Sequence, residues 1–110
     1  MKKKLPSWSF VRRTIRPWME EAGIHSCELG YLNLTNRAGD VVCQGSLFRT
    51  LAHSKKVRFW ENIDDMQEVV HACQACHAVI EMLPHDEMAE IVRSTIARRP
   101  VPVRKMNWHE

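Results

Sequence analysis

Hydrophobic residues recur at three- and four-residue steps in two stretches of the chain, a spacing that predicts amphipathic helices. The first stretch covers residues 9–22, where Pro17 predicts a kink because proline removes a backbone donor and crowds the preceding turn. The second begins after Pro84, a residue that suits the start of a helix, and covers residues 85–98. The chain is thus expected to carry one helix near each end.

The segment between these helices mixes turn residues with short apolar runs. Residues 24–40 predict irregular structure or a short hairpin, because Asn and Gly favour turns there. Residues 41–42 and 47–52 are predicted strands. Residues 62–72 predict a helix capped by Asn62, and a further helix is expected from the second cysteine pair to Met82.

The predicted elements define an α+β chain of one domain. At 110 residues the core is thin, so a bound metal would add needed stability. Hydrophobic residues make up 45% of the chain and charged residues 26%, which is typical of globular proteins. We divide the domain into a basic N-terminal arm and helix (1–23), a central core (24–82), and a C-terminal helix and tail (83–110).

No stretch of the sequence predicts a membrane segment. The longest apolar runs fall far short of the roughly 20 residues that cross a bilayer. The Met-Lys-Lys-Lys start leads into Pro, Ser and Trp and not into an apolar signal core. We therefore expect a cytoplasmic protein without membrane contact.

Charge is segregated along the chain more strongly than the net charge of +3 suggests. Residues 1–16 hold six basic residues and no acid, and residues 45–59 add four more cations. Residues 60–90 hold eight acids and no Lys or Arg. Such blocks fit a protein that lays basic segments on a phosphate backbone and keeps acids near a metal, although solvated surface would account for any single block.

The four cysteines form a candidate zinc site. Cys73 and Cys76 make a C-x-x-C knuckle, and Cys27 and Cys43 complete a tetrahedral set with none left over. A redox pair, a c-type haem attachment with His77, two disulfides and unligated buried thiols are the alternatives that the spacing leaves open. The fifteen residues between Cys27 and Cys43 require a hairpin to bring these two together.

Two histidines stand where hydrolytic chemistry would need them. His77 precedes Glu81 by four residues, so on a helix both share a face and can bind one divalent ion. His53 follows a predicted strand and is followed by three cations, a position suited to activating water beside a phosphodiester. The cations are Lys55, Lys56 and Arg58.

Together these pieces resemble the HNH endonuclease family, in particular its short phage-type members. The resemblance covers residues 27–82 and rests on the cysteines, on Leu51-Ala52-His53-Ser54-Lys55-Lys56, and on residues 68–81, Glu-Val-Val-His-Ala-Cys-Gln-Ala-Cys-His-Ala-Val-Ile-Glu. The resemblance implies a ββα-metal core, in which a β-hairpin and a helix hold a catalytic metal, with a separate structural zinc and flanking helices.

The resemblance also implies roles for individual residues. His53 matches the general base, His77 matches a ligand of the catalytic Mg²⁺ or Mn²⁺, and Glu81 takes the place of the family's final histidine. Glu68 stands where the central asparagine would be and is the second catalytic candidate. The sequence departs from the family at two further positions: Ala52 stands where a metal ligand often precedes the base, and Gly30 stands where zinc-containing members often carry a cysteine.

The function expected from the resemblance is metal-dependent hydrolysis of double-stranded DNA, as a nickase if one active site cuts one strand. The alternatives are a zinc-stabilised nucleic-acid-binding module without catalysis, and a protein-interaction adaptor that uses the acidic stretch 60–90. Lys55, Lys56 and Arg58 are the expected DNA contacts. Phage packaging or recombination proteins are the partners that the phage-type resemblance suggests, for a monomer or a dimer in a bacterial host.

Overall fold

A two-stranded antiparallel sheet lies at the centre of a small α+β fold, with helices packed on both of its faces. The computed structural model describes residues 7–55 and 60–99. In chain order the elements are α1 (Trp8–Glu21), a 3₁₀ helix (Glu28–Leu32), β1 (Arg49–His53), α2 (Ile63–Gln67), β2 (Val69–Cys73), α3 (Gln74–Glu81) and α4 (His85–Ala97).

The pairing of β1 with β2 decides which side chains share a face of the sheet. Leu51 stands opposite His71 and His53 opposite Val69, whereas Ala52 stands opposite Val70. Because directly opposed residues point to the same side and successive residues alternate, the first two pairs share one face and the third lies on the other.

Helix α1 packs on the face that carries Leu51 and Val69. Its buried side chains are those of the predicted apolar stripe, and they form one cluster with Met66 and Val69: Val11, Ile15, Trp18 and Met19. Ser7 caps the helix by accepting a hydrogen bond from the backbone N–H of Phe10 at 3.2 Å. The helix continues through Pro17. The prediction of this helix from periodicity is confirmed.

The 3₁₀ helix, α3 and α4 cover the opposite face of the sheet. A second cluster joins the strand residues Ala52, Val70 and Ala72 to one buried anchor from each helix, namely Leu29, Ile80 and Val92. The predicted α3 and α4 are both confirmed, with bounds within a residue or two of those expected. The site residues on β1 and α3 are therefore held between two small apolar cores.

The predicted helix over residues 62–72 is wrong in its second half. Asn62 does cap a helix, since its Oδ1 accepts from the backbone N–H of Asp65 at 3.0 Å, but that helix ends at Gln67. Val69–Cys73 is instead β2, with all five residues buried. A fully buried strand has no alternating pattern and a β-branched pair favours it, so its identity depended on pairing with β1.

The predicted strands are confirmed only in part. The second, expected at 47–52, forms as Arg49–His53. The first is reduced to an isolated bridge between Thr35 and Val41 that closes a short hairpin. At the tip of this hairpin, Asn36 Oδ1 accepts from the backbone N–H groups of Ala38 and Asp40, as the turn residues indicated.

A buried ion pair forms hydrogen bonds with backbone groups at the outer edge of β2. Glu28 accepts two hydrogen bonds of 2.8 Å from the Arg99 guanidinium, and the two side chains are only 11% and 5% exposed. Glu28 also accepts from the backbone N–H of His71, and Arg99 donates to the carbonyl of Val69. The pair thus takes up edge groups that would otherwise be buried without partners.

Among the helices within residues 7–55 and 60–99, none is long and apolar enough to cross a bilayer.

Candidate functional site

The four cysteines come together at the junction of the 3₁₀ helix, the hairpin loop and α3. Cys27 precedes the 3₁₀ helix, Cys43 lies in the loop before β1, Cys73 ends β2, and Cys76 lies in the first turn of α3. Their Sγ atoms all lie within 4.8 Å of one another. A hydrogen bond from Cys27 N–H to the carbonyl of Gly45 draws the first two segments together at 2.9 Å. The predicted quartet is confirmed as a cluster.

The chemistry of the cluster is compatible with a structural Zn²⁺. All four are free thiols, so the disulfide alternative is not realised. Burial raises the pKa of Cys27 to about 11. Burial also acts to raise that of Cys73, but backbone N–H groups of Gln44 and Cys76 point at its sulfur and lower its pKa to about 7. Four sulfur atoms at this separation offer a tetrahedral, soft donor set, which is the set that zinc prefers.

Gly30 lies directly beside the cluster. A Cβ built on Gly30 would stand 3.5 Å from Cys43 Sγ. The sulfur of Cys43 therefore occupies the neighbourhood into which a cysteine at position 30 would project. Cys43 follows the hairpin closed by Thr35 and Val41, which folds the chain back on itself. The fifteen residues between Cys27 and Cys43 therefore do not keep their sulfur atoms apart.

His77 is held between a strand residue and a residue of its own helix. Its Nδ1 lies 2.8 Å from Thr50 Oγ1 on β1, and its Nε2 lies 3.0 Å from Glu81 Oε1. The His77 side chain is 22% exposed and that of Glu81 is 60% exposed. Both groups thus meet at the surface, as the four-residue spacing predicted.

The contacts of Thr50 determine which ring nitrogen of His77 carries a proton. Thr50 Oγ1 also lies 2.9 Å from the carbonyl oxygen of Ala72, which can only accept. The single hydroxyl proton serves that carbonyl, so both contacts form together only when His77 Nδ1 donates to Thr50. His77 Nε2 then presents its lone pair towards the Glu81 carboxylate. A cation between them, or a second proton on the ring, stabilises this arrangement.

His53 lies at the end of β1 in an aromatic enclosure. The ring centroids of Trp8 and Trp60 stand 4.4 Å and 5.0 Å from that of His53, both in edge-on geometry. Trp60 is anchored by a 2.8 Å hydrogen bond from Nε1 to the carbonyl of Lys55. Burial, with the charge of His77 as a second cause, lowers the pKa of His53 to about 4. Its Nε2 is buried with no hydrogen-bond partner.

Glu68 and Lys55 are both engaged within the protein. Glu68 Oε2 accepts hydrogen bonds from Ser54 Oγ at 2.9 Å and from Arg93 Nε at 2.8 Å. Lys55 Nζ lies 3.4 Å from Asp65 Oδ1. The carboxylate of Glu68 therefore has a structural partner on α4, and Lys55 has one on α2. The other two predicted DNA contacts, Lys56 and Arg58, lie outside the described residues.

The structure brings the predicted site residues into two groups. Over the described ranges, the cysteine quartet is the group of three or more metal-capable side chains whose ligand atoms converge. His77 and Glu81 form a pair beside it in sequence. His53 points to the opposite face of β1 from Thr50, the strand contact of His77, although it is near enough to interact electrostatically with His77.

Three contact residues were not anticipated from the sequence. Thr50 orients His77, and Trp8 and Trp60 enclose His53. The alternation of β1 could have suggested Thr50, because it lies on the opposite face from His53 and Leu51. The tryptophans gave no comparable signal, since their approach depends on how α1 and the segment before α2 pack.

Comparison of the chain with protein-family models, with curated proteins and with solved structures finds no match.

Proposed function

We propose that the protein is a metal-dependent endonuclease that hydrolyses phosphodiester bonds of double-stranded DNA, built on an HNH-type ββα-metal core. The observation that carries the proposal is the relation of three side chains: His53 ends β1, and His77 with Glu81 lies on the helix that directly follows β2. The order strand, strand, helix, with a histidine on the first strand and a histidine on the helix, is the arrangement expected of this class of nuclease.

His77 and Glu81 are the proposed ligands of a catalytic Mg²⁺ or Mn²⁺. Thr50 supports this role, because metal-binding histidines usually donate their other ring N–H to a fixed acceptor that sets tautomer and orientation. Once bound, the ion supplies charge stabilisation for a non-bridging phosphate oxygen and the leaving 3′-oxygen. Two protein ligands suffice for Mg²⁺, which keeps several waters and binds substrate phosphate directly.

His53 is the proposed general base. Its pKa of about 4 leaves the imidazole neutral at physiological pH, the form that accepts a proton. We assign the base to Nδ1, because Nε2 is buried. The water oxygen attacks phosphorus, its proton passes to His53, and the bond from phosphorus to the 3′-oxygen breaks with its electron pair going to that oxygen, which takes a proton from solvent water.

Ala52 supplies no ligand in this scheme. It is fully buried and packs in the cluster with Val70 and Ala72, on the face of the sheet opposite His53. A larger polar side chain at this position would enter that apolar core. His77 and Glu81 are therefore the protein residues that would hold the ion, while Glu68 stabilises the strand end through Ser54 and Arg93.

A plasmid-nicking assay with added Mg²⁺ or Mn²⁺ tests the proposal. The zinc-loaded wild type is expected to convert supercoiled DNA to the nicked form. His53→Ala is expected to slow cutting by about 10²- to 10⁴-fold, the usual contribution of a general base. His25→Ala, a substitution of an exposed histidine outside this site, is the matched control. Equal cutting by wild type and His53→Ala would exclude the assigned base.

The second candidate function is a zinc-stabilised nucleic-acid-binding module. The engagement of Glu68 by Arg93 favours it, because that carboxylate is committed to a structural role. Retention of DNA without cleavage at any concentration of divalent ion would support this alternative and exclude the nuclease.

A further inference from the structure

A separate basic cavity lies at the other end of the sheet from His53. Its volume is about 190 Å³, and it opens between the C-terminal half of α1 and the strands. Among the residues lining it are Arg16, Met19, Ile24, Arg49, Leu51 and His71. Thr50, the strand contact of His77, also borders the cavity, but His77, Glu81 and the cysteines of the quartet do not, so the cavity adjoins the proposed metal ligands without sharing them.

Two guanidinium groups converge on this cavity from different elements. Arg16 projects from α1 and Arg49 from β1, and both act electrostatically on His71. Neither arginine forms an ion pair with any of the residues that the structure describes, in contrast to Arg93 and Arg99. Glu20 also lines the cavity but forms no ion pair with either arginine. Two guanidinium groups and one carboxylate leave the lining with a net positive charge, which favours an anionic ligand.

His71 forms part of the buried wall of this cavity. The residue is only 6% exposed, and its Nδ1 is closed off from solvent. Its ring interacts with the backbone of Ile24, and its backbone N–H donates to Glu28. The contacts with an anion therefore come from the two guanidinium groups, while His71 marks the wall beside them.

The remaining lining strengthens such a contact. Met19, Ile24 and Leu51 give the cavity an apolar wall. Apolar walls lower the local dielectric and make each charged hydrogen bond stronger than in open water. A guanidinium matches the paired oxygens of a phosphate by donating two parallel hydrogen bonds.

We propose that this cavity binds a phosphate group through the guanidinium groups of Arg16 and Arg49, with His71 in the wall beside them. The phosphate comes either from the backbone of bound DNA or from a free phosphate or phosphate monoester. Binding of a DNA backbone phosphate in this cavity rests on the proposed function. Arg49 and His53 stand four residues apart on the same face of β1, about 13 Å along the strand. Since phosphates of one DNA strand succeed one another about every 3.4 Å of helix axis, one duplex could reach both.

Inorganic phosphate, titrated into the zinc-loaded full chain, is the first probe. The side-chain NMR signals of His71 and Arg49 are expected to shift in a saturable manner. Arg16→Gln/Arg49→Gln is expected to weaken binding by at least about tenfold, because both charged donors are lost. Arg12→Gln/Arg13→Gln removes the same charge from exposed positions of α1 that do not line the cavity and is the matched control.

Two results would overturn the proposal: no shift at His71 with phosphate, or equal weakening by both double variants, which would reduce the effect to net charge. Zinc content and circular dichroism of each variant establish that it is folded.

DNA affinity then distinguishes the sources. If Arg16→Gln/Arg49→Gln lowers duplex binding and its salt dependence more than the control pair does, the bound phosphate belongs to DNA. If phosphate binding is lost while duplex binding is unchanged, the ligand is a free phosphate or monoester. Because phosphate binding is measured without cleavage, failure of the nuclease proposal in the nicking assay leaves this test intact.

Discussion

Thr50 Oγ1 lies 2.8 Å from His77 Nδ1, so a hydroxyl on β1 sets the orientation of an imidazole on α3. The same hydroxyl contacts the carbonyl of Ala72 on β2 at 2.9 Å. One side chain therefore links both strands to the helix that carries the proposed metal ligand. Any change in the pairing of β1 with β2 would be transmitted to His77.

Replacement of Thr50 by valine is expected to weaken binding of the catalytic ion by about 10- to 100-fold, the usual effect of losing the outer partner of a metal-binding histidine. Valine keeps the shape but removes the acceptor for Nδ1–H. Thr50→Ser retains the hydroxyl and is the control, expected to bind near wild-type level. Mn²⁺ titration followed by electron paramagnetic resonance measures the change. Equal affinity in the valine and serine variants would contradict the role of Thr50.

The pH response of His53 follows from its enclosure by Trp8 and Trp60. Burial lowers the folded-state pKa from 6.5 to about 4, so the unfolded chain binds the proton more readily. The contribution of His53 to stability is therefore complete above pH 6.5 and is lost as the pH falls towards 4. Trp8→Ala is expected to raise the pKa of His53 towards 6.5, as followed by NMR titration of its ring protons.

If the midpoint of His53 stayed near 4 in Trp8→Ala, the tryptophan would not be the source of the desolvation.

Because Gly30 lies next to Cys43, a cysteine at position 30 can supply the sulfur ligand that Cys43 provides. Cys43→Ser is expected to lose tight zinc binding, because one of four thiolates is gone. Adding Gly30→Cys to that variant is expected to restore a four-sulfur site, since the new Cβ stands 3.5 Å from the original Sγ. The thiolate absorption of the cobalt-substituted protein reports four-sulfur coordination. Gly39→Cys in the same background is the control and is expected to restore nothing, because no atom of the cluster lies within 4 Å of a Cβ at that position.

The buried pair of Glu28 and Arg99 is expected to contribute to stability through the edge of β2. Arg99→Met leaves the Glu28 carboxylate buried without its partner, a change that typically costs about 3–5 kcal/mol in the free energy of unfolding. Arg93→Met breaks the more exposed pair with Glu68 and is expected to cost about 1 kcal/mol or less. Urea denaturation of the zinc-loaded protein measures both, and similar losses would show that burial of the first pair is not the cause.

Much of this architecture is readable in the sequence. The apolar stripe of α1, the Pro84 start and periodic face of α4, and the pairing of His77 with Glu81 all depend on spacings of three and four residues. Residues at these spacings lie on one face of the same helix, so a short stretch of sequence is enough to predict the contacts. The cysteine quartet was equally predictable, because four thiols with none left over have few other uses together.

Other features depended on residues that are distant in the chain. Val69–Cys73 became a strand because it pairs with Arg49–His53, and neither its period nor its composition distinguished it from the end of a helix. The engagement of Glu68 by Arg93 joins positions 25 residues apart, and the aromatic enclosure of His53 requires α1 to lie along β1.

The sequence by itself therefore determined α1, α3 and α4, the clustering of the four cysteines and the candidate histidines, because these follow from local periodicity and ligand chemistry. Only the tertiary structure decided which groups are free to act. It turned Glu68 towards Arg93, gave His77 an oriented lone pair through Thr50, and placed His71 in a cavity wall beside two arginines. The physical reason is that hydrogen bonding and burial are properties of a packed surrounding, which is assembled from segments that no local pattern brings together.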